Sequence, residues 1–276
     1  MPQSLIDVPY RLDRIKALFI GSAKSGKSIS AATFPKPMYV FDIDGRIKSL
    51  RNFFAPYPDN MEGITFDRFT NYDHFGTVFD RFENRCEYKT ILIDSLTTLC
   101  AMIIRYSLKA RGLSLIKPSD EYVAGTNKIA DVPIPGFDEW NLEATVLREI
   151  LYICSKKLEC NVILTAHLYM TEEKEKDNQG KQITVPKYHL FTGGRKIAAS
   201  IPAEFDEIYH FKGTDNKRSM YPHATDAVPF AGTTLGLPRQ VDVQIDPKRK
   251  LSAGNGSLYH KIVENCKENG LIAKSA

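Results

Sequence analysis

Short apolar runs, each closed by glycine or a polar residue, recur along the first two thirds of the chain. Residues 16–20 (KALFI) form one such run ending in Gly21, and residues 27–33 (KSISAAT) then read as a helix stopped by Phe34-Pro35 and Pro37. Residues 38–43 (MYVFDI) read as a buried strand closed by the turn signal Asp44-Gly45. After a weak alternation over 63–69, Asn71-Tyr72-Asp73 supplies a cap for a helix over 74–84. Residues 90–93 (TILI) run into Asp94, and a helical spacing of Leu96, Leu99, Ile103 and Ile104 follows, with Ser95 placed to cap it.

The stretch 112–136 is rich in Gly, Ser, Pro, Asn and Asp and has no sustained period, which marks a long functional loop. Leu142, Val146, Leu147, Ile150, Leu151 and Ile153 then give helical spacing over 137–158, and 161–165 (NVILT) is the next apolar strand. Residues 171–187 balance four acids against four bases around Asn178-Gln179-Gly180 and read as an exposed hairpin or loop. Residues 194–202 are helix-like, 207–211 (EIYHF) strand-like, and 257–269 predict a C-terminal helix. Strands alternating with helices predict an α/β fold with a mainly parallel central sheet and helices on both faces. Ligands of such sheets bind where the carboxyl ends of the strands meet their loops.

Composition narrows this picture little. The 276 residues are 43% hydrophobic and 25% charged, as in ordinary globular chains, which excludes collagen-like, coiled-coil and disordered classes. The surplus of 37 Lys+Arg over 33 Asp+Glu is too small to imply nucleic-acid binding by bulk charge. Five widely spaced cysteines without a CxxC argue against a disulfide framework or zinc knuckle and suit a reducing cytoplasm. No segment has the apolar length of a signal h-region or a membrane span, so a membrane partner is not expected.

The chemistry collects at strand ends. Gly21-Ser22-Ala23-Lys24-Ser25-Gly26-Lys27-Ser28 matches G-x-x-x-x-G-K-[ST] between a predicted strand and a predicted helix. In this arrangement backbone N–H groups and the helix start face phosphate, Lys27 neutralises the β/γ-phosphates of ATP, and the Ser28 hydroxyl binds Mg²⁺. Lys24 is a second cation within the loop. Asp94, at the end of four apolar residues, is placed to complete the Mg²⁺ site opposite Ser28. Asp44 ends the next strand and is a candidate to orient or deprotonate the attacking water, although Asp44-Gly45 also reads simply as a turn. His167 follows the strand at 161–166 and reads either as a γ-phosphate contact or as a satisfied interior histidine.

With the strands MYVFDIDG, TILIDSLTTL and NVILTAH and the later segment LFTGGRKIAASIPAEFDEIYHF, these parts resemble the RecA-like P-loop NTPase core, closest to phage single-strand annealing and recombination ATPases of the Sak type. The resemblance implies one RecA-like ATPase domain over 1–276, with a core at about 15–240 and a tail and helix at 241–276. By position it makes Lys27, Asp44, Asp94 and His167 the catalytic set. Asp44 stands where the family usually has Glu, and His167 where a polar γ-phosphate sensor, commonly Gln, stands. It puts two DNA-facing loops at 112–136 and 168–191, and it implies single-stranded DNA as partner, a homo-oligomeric filament or ring, a single-strand-binding protein as accessory, and the host cytoplasm as location. Lys181, Lys187, Tyr188, Arg195 and Lys196 are the candidate DNA contacts, a modest basic and aromatic mixture. The basic residues that the family places near a late strand to reach a neighbour's γ-phosphate are missing from 229–237 (PFAGTTLGL), leaving Arg239 or Lys248-Arg249-Lys250 as substitutes.

Two other classes share the P-loop. A small-molecule or nucleotide kinase needs an acceptor pocket and an arginine-bearing lid, for which Arg105 and Arg111 are the nearest residues. A non-hydrolysing, nucleotide-dependent assembly module agrees with the short Asp44 and the missing late cations.

Overall fold

A computed structural model describes residues 11–112, 135–176, 180–214 and 217–272, so most of the predicted first loop at 112–136 lies outside the described residues. Its centre is an eight-stranded sheet made of β1 (Lys16–Gly21), β2 (Met38–Asp42), β3 (Ile64–Arg68), β4 (Thr90–Asp94), β5 (Asn161–Ala166), β8 (Glu207–Thr214), β9 (Lys217–Tyr221) and β10 (Val241–Asp242). The strand order is β10-β9-β8-β1-β5-β4-β2-β3. From β3 to β8 every pairing is parallel, and β9 and β10 extend the far edge antiparallel.

Alternation along the central strands divides the core into two layers. Leu18, Ile20, Phe41, Ile93 and Leu164 face one side, where they meet α3 (Tyr72–Asn84), α4 (Leu96–Ala110), α5 (Phe137–Tyr152) and α6 (Arg195–Ser200). Ala17, Phe19, Val40, Leu92, Ile163 and Phe211 face the other, where α1 (Lys27–Ala31) and α7 (Leu258–Glu268) cover them. Leu50 and Phe54 of α2 (Ile47–Phe54) add a small cluster beside α1. Both faces are apolar because helical crossovers lie on both, as the pattern predicts.

Local signals place the helix ends. The Asn71 side chain accepts the His74 amide at 2.9 Å, and Ser95 Oγ accepts the Thr98 amide at 3.4 Å. The helix expected over 137–158 ends as α5 at Tyr152, and a single wider turn continues to Lys157 before β5. The acid–base stretch is a hairpin, β6 (Leu168–Lys176) against β7 (Gln182–Leu190), with residues 177–179 of its tip outside the described set. No helix among the described residues is long and apolar enough to cross a membrane.

Candidate active site

Residues 21–28 make the turn from β1 to α1 at the carboxyl edge of the sheet. Gly21 has φ 147°, and a Cβ there would stand 2.4 Å from the Phe211 carbonyl oxygen of β8, so the loop leaves the sheet only with glycine at this point. Gly26, just before α1, has φ 100°, and a Cβ would meet the Arg218 side chain at 2.7 Å. Ser22, Ala23 and Lys24 are exposed along the loop, whereas Ser25, Gly26 and Lys27 are buried. Lys27 Nζ folds back to donate to the carbonyls of Gly21 (2.9 Å) and Ser22 (2.8 Å). Burial pushes its ammonium down to about 8, against the favourable charges of Asp94 and Asp44.

In the first turn of α1, Ser28 Oγ donates to Asp94 Oδ2 at 2.7 Å. The strands behind these residues are not neighbours, because β5 lies between β1 and β4. The inserted strand supplies a third partner: Thr165 Oγ1 donates to Asp94 Oδ1. The Asp94 carbonyl accepts the amides of Ile43 (2.8 Å) and Asp44 (3.0 Å), which fixes the end of β2 beside that of β4. Asp42, in register with Asp94, holds the Arg46 amide at 2.8 Å through Oδ1, and burial raises its carboxyl.

Asp44 is enclosed by donors. Ser95 Oγ (2.8 Å) and Thr98 Oγ1 both donate to its Oδ1, and His167 Nε2 lies 3.7 Å from its Oδ2. Burial alone would raise this carboxyl, but the contacts from His167, Thr98 and Ser95 outweigh it and hold the group well below the usual carboxylate range. A carboxylate so weakly basic suits accepting a hydrogen bond from water better than removing its proton. His167 is fixed through its own backbone, its amide donating to Thr97 Oγ1 at 3.0 Å and its carbonyl accepting the Phe191 amide at 3.0 Å.

The donor set fits a Mg²⁺–nucleotide. Ser28 and Asp94 present hard oxygen ligands of the kind Mg²⁺ takes. The Ser25 hydroxyl is buried without a hydrogen-bond partner among the described residues, and the carbonyls now holding Lys27 are contacts a phosphate oxygen can replace.

Among the residues singled out for DNA, Lys187 and Tyr188 already have partners within the protein. Lys187 Nζ is bound to the Asp226 carbonyl (3.0 Å) and to Glu175 (2.9 Å), and Tyr188 packs its ring against His210 at 5.9 Å. Lys181 is exposed ahead of β7, and Arg195 and Lys196 open α6. The hairpin shows solvent Tyr169, Met170 and Ile183, with Phe191 exposed just after it. A cleft of about 750 Å³ between α5 and α6 is lined by Phe137, Trp140, Arg148, Gly193 and Gly194.

Sequence reasoning passed over Thr165, Thr98, Arg218 and Glu207. Thr165 was detectable as a polar residue within the apolar run of β5, one residue from its end. The Arg218 guanidinium lies over the Phe53 ring at 5.5 Å while its stem rests on Gly26, so β9 buttresses the phosphate loop from behind. Buried Glu207 accepts from Tyr209 (2.6 Å), Thr233 (2.6 Å) and both the amide and hydroxyl of Thr234, giving the cation-free segment a structural task. Of the suggested substitutes, the Lys248–Lys250 stretch lies at the opposite, amino edge of the sheet, where Asn60 binds the Arg249 carbonyl (2.9 Å) and the Leu251 amide (3.0 Å).

Residues 13–233 match the family described as "AAA domain". No curated protein matches the chain. Among solved structures it is similar to one titled "Crystal structure of the RadB recombinase", at 12% identity and a TM-score of 0.41, over 85% of this chain and 88% of that chain.

Proposed function

Because the chain belongs to the AAA domain family of P-loop ATPases, we propose that it binds Mg²⁺-ATP, hydrolyses it slowly and couples nucleotide state to single-stranded DNA. The reading treats the chain as one ATPase unit that assembles with copies of itself and serves recombination, annealing or replication.

In this reading residues 21–28 wrap the phosphates with backbone amides, and Lys27 exchanges its loop carbonyls for β/γ-phosphate oxygens. Ser28 and Asp94 would hold Mg²⁺, which when bound would supply positive charge beside those oxygens. Asp44 orients the attacking water by accepting its hydrogen bond, fixed by Ser95 and Thr98. Its low basicity, and the side chain being shorter than the usual Glu, agree with slow turnover.

A single observation carries the DNA half of the proposal: His167, 3.7 Å from Asp44, is also the residue at which the β6–β7 hairpin is rooted. A shift of the imidazole when γ-phosphate arrives reaches the hairpin through one residue. The exposed aromatic rings of the hairpin and of the α5–α6 cleft supply surfaces on which single-strand bases stack.

Phosphate release from Mg²⁺-ATP, with and without a poly-pyrimidine single strand at low and moderate salt, tests the proposal against Lys27→Ala as blank. The expected result is stimulation by the strand that declines with salt. Release indifferent to DNA removes the DNA role, and ADP formed with a small phosphate acceptor but without matching free phosphate identifies a kinase.

A further inference from the structure

At the amino edge of the sheet, away from the phosphate loop, two thiols face each other. Cys86 lies in the connection between α3 and β4, Cys160 immediately precedes β5, and their Sγ atoms are 3.7 Å apart. The chain segments that carry them are already tied together. Asn161 donates to the Lys89 carbonyl through its amide (3.0 Å) and Nδ2 (3.1 Å), and Thr90 pairs in register with Asn161. Closing the remaining gap between the sulfurs is therefore a side-chain movement rather than a rearrangement of the fold.

The two thiols are chemically unequal. Cys160 is buried, whereas Cys86 is the one cysteine of the five that is only half-buried. The contact with Cys160, helped by the nearby Lys16 ammonium, overcomes burial and lowers the Cys86 thiol to about 7. The same contact, with burial, drives the Cys160 thiol upward, so the half-buried Cys86 is the one of the two that gives up its proton more readily. Lys16 Nζ is locked beside them by the carbonyls of Leu158 (2.6 Å) and Cys160 (2.8 Å). Cys100, Cys154 and Cys266 are buried, and burial raises all three thiols.

We propose that Cys86 and Cys160 are a reversible redox pair, in which hydrogen peroxide oxidises Cys86 and Cys160 resolves the product to an intramolecular disulfide. The Cys86 thiolate attacks one peroxide oxygen, the O–O bond breaks, and the departing hydroxide takes a proton to become water, leaving Cys86 as the sulfenic acid. The Cys160 sulfur then attacks the Cys86 sulfur, the S–O bond breaks, and the departing hydroxide takes the Cys160 proton. Two thiols and one peroxide become one disulfide and two waters, and a dithiol reductant reverses the change. This pair is independent of the nucleotide reading, since it lies at the opposite edge of the sheet from residues 21–28.

The test treats the reduced, folded chain with a small excess of hydrogen peroxide, alkylates remaining thiols after denaturation, and maps the peptides by mass spectrometry. The expected product is a Cys86–Cys160 linked peptide lacking two hydrogens, with Cys100, Cys154 and Cys266 alkylated, and the link reversed by dithiothreitol. Cys160→Ser should stop at the sulfenic acid, trapped on Cys86 by a dimedone reagent, and Cys86→Ser should abolish both the link and the trap. Alkylation of both Cys86 and Cys160 in the treated wild-type chain, or a link from either to another cysteine, overturns the proposal, and this readout needs no variant.

Discussion

His167 holds Asp44 at 3.7 Å through its imidazole and the hairpin at 3.0 Å through its carbonyl, which accepts the Phe191 amide. The same residue thus meets the carboxylate proposed to orient water and the base of a projecting β-ribbon. Its amide donates to Thr97 Oγ1 of α4 at 3.0 Å. In the proposed function, a ring that exchanges Asp44 for a γ-phosphate oxygen is a two-state element, because each state offers it one charged partner.

Lys27→Ala should lower nucleotide affinity by about 100-fold, or about 2.7 kcal/mol, since it removes the one buried ammonium in the phosphate loop. Equilibrium binding of a fluorescent ATP analogue measures the loss. Unchanged affinity would show that the nucleotide lies elsewhere.

Asp44→Asn should spare nucleotide binding and reduce kcat by about 100-fold. The folded state holds the Asp44 carboxyl below its unfolded value, so its contribution to stability is complete above about pH 4 and is lost as pH falls through the lower folded value. The stability difference between the two proteins should therefore stay level from neutral pH to about 4 and shrink below that. A difference that shrinks already between pH 7 and pH 5 contradicts the assignment.

Gly21→Ala should destabilise the protein by about 2 kcal/mol, because the new methyl must displace the Phe211 carbonyl and the backbone there is strained for any L side chain. The β1–β8 pairing moves with it, so nucleotide affinity should fall too. An unchanged midpoint in urea unfolding would contradict the geometry.

His210, in register with Ile20 beside the phosphate loop, is held down to about 4 by burial and by the neighbouring charges of Lys212 and Lys27. The unfolded chain binds its proton first, so stability should fall as pH drops from about 6.5 to about 4. His260, also lowered by burial, acts in the same sense. His210→Gln should flatten part of that slope in urea titrations between pH 7 and pH 4; an identical slope in the variant would exclude His210 as its source.

The sequence made the phosphate loop legible because the motif is local: its glycines, lysine and serine fall within eight residues between a strand and a helix. Asp44, Asp94 and His167 were legible for a different reason. Each stands at the end of a parallel strand, and parallel strands deliver their ends to one edge. What escaped depended on long-range pairing. Arg218 and Ser219 interrupt β9 with polar residues that are nonetheless buried, so the segment lacks an apolar run until β8 is beside it. Thr165 reads as an ordinary strand former until Asp94 is seen next to it. Lys187 looks available for phosphate in the sequence, yet Glu175 across the hairpin and the Asp226 carbonyl occupy its ammonium. Cys86 and Cys160 stand 74 positions apart, and nothing in their spacing signals that β4 and β5 bring them together.

Binding of a labelled poly-pyrimidine single strand, followed by fluorescence anisotropy with and without a non-hydrolysable ATP analogue, tests the central claim most directly. Coupling between two sites is reciprocal, so nucleotide should tighten DNA binding by about tenfold in the wild-type chain. In His167→Ala the two affinities should converge while ATP binding persists. Equal DNA affinity with and without nucleotide in the wild-type chain, or an undiminished nucleotide effect in His167→Ala, would contradict the role given to His167 and the hairpin.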